Sequence, residues 1–500
     1  MKDLYPNISA LIDENLRSLL FFVPEVLLLL AFFWVFFSGL LSRNRSGKWV
    51  RNITALSFFV LVVTLFRQYG VAAGENQLFF HGLLILHRPA VTFKLLFALF
   101  SLLLTLYARE DHAVFTHKKG TNDFYALLLG INFGLHLMVM SANLLMIYLS
   151  VEIVSVTSYL FTAYFSDDAR RAEAGMKYML FGATASAIML YGLSLLYVIT
   201  GSLNLFDTAF LDGLAGVPSA SLALAGLLLF AGIGFKLSLV PLHFWVPDVY
   251  EGTATPVSAL LSTLPKIAGF GLLLNVITPL LVQFPAVVSL KILPFLSVIS
   301  ALTMIAGNFA AVWQKRVKRL LAYSAIGHSG FALMAMLSFN SPGISALLFY
   351  LMVYGLANLA AFMLVTAFEE ASGASDLDQY RGLGRRMPLL SVCFVLVLIS
   401  LVGIPLSGGF TGKFLVFSAL LGSSDAKNIW LLLPMITGVL TTVVALFYYL
   451  QVPLNLFFRK AGEEKPLRPV SPVLVSLVIF LTAVLLLAGV FPQFAQTLIG

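Results

Sequence analysis

Long apolar stretches, separated by short polar connections, run from one end of the chain to the other. A membrane span needs about 20 apolar residues. Fourteen such runs are centred near residues 30, 60, 98, 131, 154, 185, 232, 268, 302, 329, 355, 405, 440 and 480. The pattern predicts an all-α polytopic membrane protein, a single transmembrane domain of about 14 helices over 1–500. The first run follows a charged stretch, Met1 to Arg17, and no small-residue cleavage site comes after it. It therefore reads as a retained helix, with the mature chain starting close to Met1. One segment departs from the helical pattern. In Gln77 to Arg88 two short apolar stretches flank His81-Gly82, which predicts a small hairpin outside the membrane.

Two runs carry a break. In Gly234-Phe-Lys-Leu-Ser-Leu-Val-Pro-Leu-His-Phe-Trp-Val-Pro-Asp-Val-Tyr-Glu-Gly252, Lys236 sits in the apolar run shortly before Pro241. Proline removes a backbone donor and frees the carbonyl of Leu237, which is tolerable only beside protein or a water-filled cavity. In run 12, Leu401-Val-Gly-Ile-Pro-Leu-Ser-Gly-Gly-Phe-Thr-Gly-Lys413, Pro405 frees the carbonyl of Leu401 and the glycines loosen the turns before the lysine. Broken helices at corresponding places in two halves point to a transport site. Runs 7 and 12 are an odd number of spans apart, so a five-helix repeat enters the bilayer from the opposite side the second time. The expected organisation is helices 1–3 over about 20–108, repeat one (helices 4–8) over about 122–282, an inverted repeat two (helices 9–13) over about 291–458, and helix 14 over about 470–491. The two segments hardly match in sequence, and the lysine precedes the proline in one but follows it in the other, so the repeat is an architectural expectation.

Composition and charge narrow the class. With 60% hydrophobic and 11% charged residues and a mean hydropathy of +0.95, a soluble globule is excluded. Most of the 31 lysines and arginines lie in alternate loops: Arg43, Arg45, Lys48, Arg51; Arg109, Lys118, Lys119; Arg170, Arg171; Lys315, Arg316, Lys318, Arg319; Arg381, Arg385, Arg386; and Arg459, Lys460, Lys465, Arg468. Few lie opposite: Lys2, Arg17, Arg67, Arg88, Lys291 and Lys427. Short basic loops stay in the cytoplasm, so both termini are expected on the non-cytoplasmic side. The net charge of +8 then reflects topology and lipid contact, and no nucleic-acid partner is expected. Cys393 is the single cysteine, which excludes disulfides, zinc and iron–sulfur ligation within the chain. No glycine-rich loop follows a strand, so no nucleotide, flavin or metal site is expected here.

What remains is charge inside the runs: Lys94, Lys177, Lys236, Lys266 and Lys413, with Glu25, Glu152, His136 and His328. Glu152, near the middle of its helix, needs a nearby lysine to stay ionised. The plainer account is an ion pair that fixes helix packing, but such pairs are rare in spans and usually functional. Lys236, Lys266 and Lys413 are too deep to snorkel and require water, a partner or a lost proton. Either they are permanently paired, or they load and release protons. His328 has an unperturbed pKa of about 6.5, and Tyr323, Ser324 and Ser329 around it suggest a hydrated strip. His136 lacks such a setting. Lys94 and Lys177, nearer helix ends, read equally well as anchors, and Glu25 after Pro24 as a carboxylate favoured by a helix dipole.

Together these residues resemble the antiporter-like membrane subunits of respiratory complex I, the NADH:quinone oxidoreductase, and among them the subunit N branch. Phe235 to Ser258, Lys318-Arg-Leu-Leu-Ala-Tyr-Ser-Ala-Ile-Gly-His328 and Gly403 to Lys413 carry the likeness, which runs from about residue 20 to 490. The resemblance implies that Glu152 matches the glutamate of the fifth helix, Lys236 the lysine of the broken seventh, Lys266 that of the eighth, His328 the histidine of the tenth and Lys413 the lysine of the broken twelfth. It implies a proton relay in which Glu152 modulates the charge on Lys236, protons pass Lys266 and His328, and Lys413 connects to the far side. It further implies a translocase subunit without redox chemistry of its own, in a cell (inner) membrane. NADH, FMN, iron–sulfur clusters and quinone would belong to partner subunits, which would include sibling antiporter-like and small membrane subunits. Pro265, directly before Lys266, departs from the helix former expected there. The rival readings are an Mrp-type cation/proton antiporter, which would be expected to keep a deep carboxylate site for sodium, a membrane-arm subunit of a related hydrogenase or ferredoxin-driven complex, and a membrane scaffold.

Overall fold

A computed structural model describes residues 8–41, 47–72, 76–116, 121–165, 169–423, 428–460 and 466–493. Met1, Lys2, Arg43, Arg45, Lys118, Lys119, Lys427 and Lys465, on which part of the orientation argument rests, lie outside the described residues.

The chain begins with α1 (Ile8–Phe21) and α2 (Val23–Leu41), bent by 78° across Phe22. Pro24 sits in the first turn of α2, where its missing N–H would have had no helical partner. After α3 (Lys48–Val71), the expected hairpin forms from β1 (Gln77–Phe79) and β2 (Leu84–Leu86), paired antiparallel. Phe80, His81 and Gly82 make its turn with φ of 50°, 55° and 77°. Then come α4 (Arg88–Ala108), α5 (His112–Phe115), α6 (Asn122–Met140), α7 (Leu144–Tyr164), α8 (Ala169–Thr200), α9 (Thr208–Ala215), α10 (Ser219–Leu237), α11 (Trp245–Gly252) and α12 (Thr255–Gln283). The second half holds α13 (Pro285–Val287), α14 (Leu293–Val312), α15 (Val317–Met336), α16 (Ser341–Ser372), α17 (Leu383–Arg386), α18 (Pro388–Val402), α19 (Gly408–Leu421), α20 (Ile429–Pro453) and α21 (Pro472–Val490).

Among the described residues eleven helices are long and apolar enough to cross a membrane, twelve if the bent α1–α2 pair is one span. A count of fourteen is compatible with this. It adds α15, whose polar residues lower its hydropathy, and the α18–α19 pair, whose halves are each too short alone. α12 and α16 are the most enclosed, with 94% and 89% of their apolar windows buried. They pack on each other, and α12 also meets α4, α6 and α10. Lys266, on α12, is therefore removed from lipid as well as from bulk water.

Both expected breaks are present. α10 stops at Leu237, with Ser238 left-handed at φ 59°. The N–H groups of Ser238 and Leu239 fold back to the carbonyls of Phe235 (3.1 Å) and Gly234 (2.9 Å). The chain resumes helix at Trp245. α18 stops at Val402 with Gly403 at φ 87°, and Ser407 caps α19 by accepting the N–H of Phe410. Left-handed backbone costs a residue with a Cβ about 1–2 kcal/mol, which explains glycine at 403. Pro265 does not break α12. The carbonyl it frees, that of Leu261, accepts the hydroxyl of Tyr250 at 3.1 Å, so the helix passes through the proline with its polar groups satisfied.

Candidate functional site

Lys236, Lys266 and Lys413 are 3%, 1% and 9% exposed. Lys236 stands in the last turn of α10, where the free carbonyls of the break carry partial negative charge that favours a cation. Its ammonium makes no hydrogen bond among the described residues. α12 comes close enough to touch it because Gly269 has no side chain: a Cβ there would start 2.7 Å from Leu237 Cδ2 and 3.9 Å from Lys236 Cβ. One turn earlier on α12, Lys266 donates to the carbonyl of Ala325 (2.9 Å) and to Ser329 Oγ (3.1 Å). Ser329 adjoins His328, whose Nδ1 lies 2.7 Å from the hydroxyl of Tyr350.

His328, Tyr350 and Lys413 line one small cavity of about 10 Å³, with Tyr448 and Asn308 on its wall. That is room for about one water. Lys413 closes the file. Its Nζ donates to the carbonyl of Val402 at 2.7 Å and to Thr442 Oγ1 at 3.2 Å, and lies 5.1 Å from the centre of the Phe331 ring. The different order of lysine and proline in the two breaks thus leads to one outcome. Each lysine serves the C-terminal end of the first half-helix, Lys236 from within it and Lys413 by reaching back from α19.

Glu152 lies within electrostatic range of Lys236, yet no ion pair joins the two among the described residues, and its side chain is half-buried. It stands on the face of α7 that carries the exposed Leu145, Leu149, Val156 and Leu160. In a membrane both faces of such a helix are apolar, so periodicity did not reveal that this one turns outward. Lys177 pairs with Glu173 (2.8 Å) and Asp248 (2.9 Å) at the rim, as an anchor does. Tyr350, Thr442 and the Val402 carbonyl were not singled out from the sequence. Ser329 had a signal, as a neighbour of His328. Among the described residues no group of three His, Cys, Asp or Glu could hold a metal.

The fold and site define a polytopic membrane protein with a buried file of protonatable side chains between two broken helices. The chain belongs to the NADH:quinone oxidoreductase/Mrp antiporter transmembrane family, whose profile matches residues 141–444. It is 37% identical over 462 residues to NADH-quinone oxidoreductase subunit N of Chlorobium chlorochromatii, covering 91% of this chain and 88% of that one. It is 35% identical over 488 residues to subunit N 2 of Sorangium cellulosum, covering 96% of each. A chain of respiratory complex I from Thermus thermophilus superposes with a TM-score of 0.77 at 31% identity, over 95% of this chain and 98% of that one. A chain of the Mrp complex from Dietzia sp. gives 0.82 at 20% identity, over 96% of each, and shares the fold alone.

Proposed function

We propose that this chain is the proton-translocating membrane subunit of an NADH:quinone oxidoreductase, and that Glu152, Lys236, Lys266, His328 and Lys413 are its relay. The carrying observation is the run from Lys266 through Ser329 and its neighbour His328 to Tyr350 and across one cavity to Lys413, with Lys236 packed beside the same helix at Gly269. A proton on Lys236 is favoured by the carbonyl end of α10 and by the field of Glu152, and disfavoured by burial. A small change in either moves the proton on. His328, held by Tyr350, hands it between the two lysines that flank it, and Lys413 holds it against Val402 before release.

The chain itself carries no redox chemistry in this reading. NADH, FMN, iron–sulfur clusters and quinone belong to partner subunits, and the exposed α7 face around Glu152 meets a neighbouring membrane-arm subunit, since a carboxylate facing lipid alone is costly. Moving a charge against the membrane potential takes about 2.3 kcal/mol per 100 mV, so quinone chemistry elsewhere must bias the relay. The two broken helices, each with a lysine on the carbonyl end of its first half, support the inverted repeats over about 122–282 and 291–458. The setting is a cell (inner) membrane, with both termini on the non-cytoplasmic side.

The experiment is to isolate the assembly with a tag on this chain and reconstitute it. NADH-driven acidification indifferent to sodium is the expected result. Sodium-dependent exchange without NADH oxidation would establish the Mrp-type antiporter instead.

A further inference from the structure

Helices ahead of the relay hold a second set of buried ionisable groups that the relay does not use. Glu25 of α2, Lys94 of α4 and His136 of α6 meet with no exposed surface. Lys94 Nζ donates to Glu25 Oε1 at 2.7 Å, and His136 Nδ1 lies 2.8 Å from the same oxygen. Lys94 also donates to Gln68 Oε1 of α3 at 2.7 Å. Beside a carboxylate oxygen, Nδ1 carries the hydrogen, which leaves Nε2 as the basic nitrogen. Two buried atoms of this cluster, Glu25 Oε2 and His136 Nε2, have no partner among the described residues. A pair built only to hold helices together would satisfy them, because an orphaned buried acceptor costs about 1–3 kcal/mol. Both are bases, so the cluster can take up a proton at an atom its ion pairing does not use.

Two groups of buried polar side chains lie between this cluster and one face of the protein, Asn132, Ser101 and Thr105 in the first and Tyr107, Thr366 and Asp111 in the second. Asn132 precedes His136 by one turn of α6. It accepts from Ser101 Oγ of α4 at 3.0 Å and its amide lies 2.8 Å from the same oxygen. Thr105, one turn on, donates to the carbonyl of Ser101 at 2.7 Å. The hydroxyls of Tyr107 and Thr366 are 2.6 Å apart, and Thr366 donates to Asp111 Oδ2 at 3.5 Å. Each of these side chains is buried. Asp111 lines a cleft of 390 Å³ with Arg171, Lys318, Glu369 and Glu370. Burial pushes its carboxyl up to about 6 against the pull of Lys318, with Glu369 and Glu370 adding to the rise. The titratable groups facing His136 are Glu25 and Lys94.

We propose that Glu25, Lys94 and His136 form a second proton-holding site, exchanging its proton with the cleft at Asp111 through the groups on α4, α6 and α16. A proton leaves the Asp111 carboxyl, is handed along the hydroxyl and amide groups and arrives on His136 Nε2. The imidazolium shares Glu25 with Lys94, so the loaded site carries one net positive charge, and the proton returns by the same route. The inference rests on the reading of this chain as a proton-translocating subunit.

The test uses the intact complex in liposomes with His136→Gln, Asn132→Leu and Lys236→Ala. Glutamine keeps an N–H for Glu25 and has no basic nitrogen. The expected result is an assembled His136→Gln complex that pumps roughly tenfold more slowly, having lost one proton-transfer group, and lacks an imidazole infrared band that changes during wild-type turnover. Asn132→Leu should slow pumping while retaining that band. Loss of pumping in Lys236→Ala with wild-type pumping and bands in His136→Gln overturns the second site and leaves the relay standing. If His136→Gln fails to assemble, a His328→Gln complex with isotope-labelled histidine rings decides: a turnover-dependent imidazole band supports the site, and its absence overturns it.

Discussion

Lys413 caps the carbonyl of Val402 at 2.7 Å, so the cation of one half-helix neutralises the end of the other half across the break. The approach depends on Gly403, where an added Cβ would begin 2.9 Å from Lys413 Cδ at a φ of 87°. Gly403→Ala should therefore strain the break by about 1–2 kcal/mol and push the ammonium off Val402. Proton pumping per NADH should fall while the complex still assembles, read as acidification against electron transfer in proteoliposomes.

Tyr350 should matter to transfer and little to folding. Tyr350→Phe removes the hydroxyl 2.7 Å from His328 Nδ1 and keeps the ring stacked on Phe331. Pumping should drop by roughly tenfold or more, the scale of a misplaced acid–base partner, with the stability of the detergent-solubilised complex lowered only by that one hydrogen bond, about 1 kcal/mol.

The pairing of Tyr250 with Pro265 is a stability prediction. Tyr250→Phe leaves the Leu261 carbonyl without a donor, at a cost of about 1–3 kcal/mol. Adding Pro265→Ala returns the backbone N–H and should recover most of it. A double-mutant cycle on thermal unfolding measures the coupling, and additive effects would contradict it.

Asp111 predicts a pH dependence. Its carboxyl is raised from 3.8 to about 6 by burial, so between those values the folded chain binds more protons than the unfolded one and stability falls as pH rises. The loss amounts to roughly 3 kcal/mol at most, is absent below the lower value and complete above the upper. Asp111→Asn, which keeps a helix-capping side chain, should flatten melting temperature against pH across that window.

Lys236, Lys266, His328 and Lys413 were legible from sequence because a charge in an apolar run is costly and therefore conspicuous, and the prolines at 241 and 405 marked both breaks. Tyr350 and Thr442 were not, since such residues are ordinary in spans. The Val402 carbonyl becomes a ligand only once the end of α18 is known. Glu25 and His136 stand 111 residues apart, and no local pattern joins them. The outward turn of Glu152 was hidden because lipid and protein interior select the same apolar neighbours.

The most direct measurement is NADH-driven proton pumping by the whole complex in proteoliposomes, comparing wild type with Lys236→Ala, Lys266→Ala and Lys413→Ala after assembly has been verified. A relay predicts that pumping and coupled quinone reduction fall together in all three. Wild-type pumping in any assembled variant would remove that lysine from the path and contradict the account.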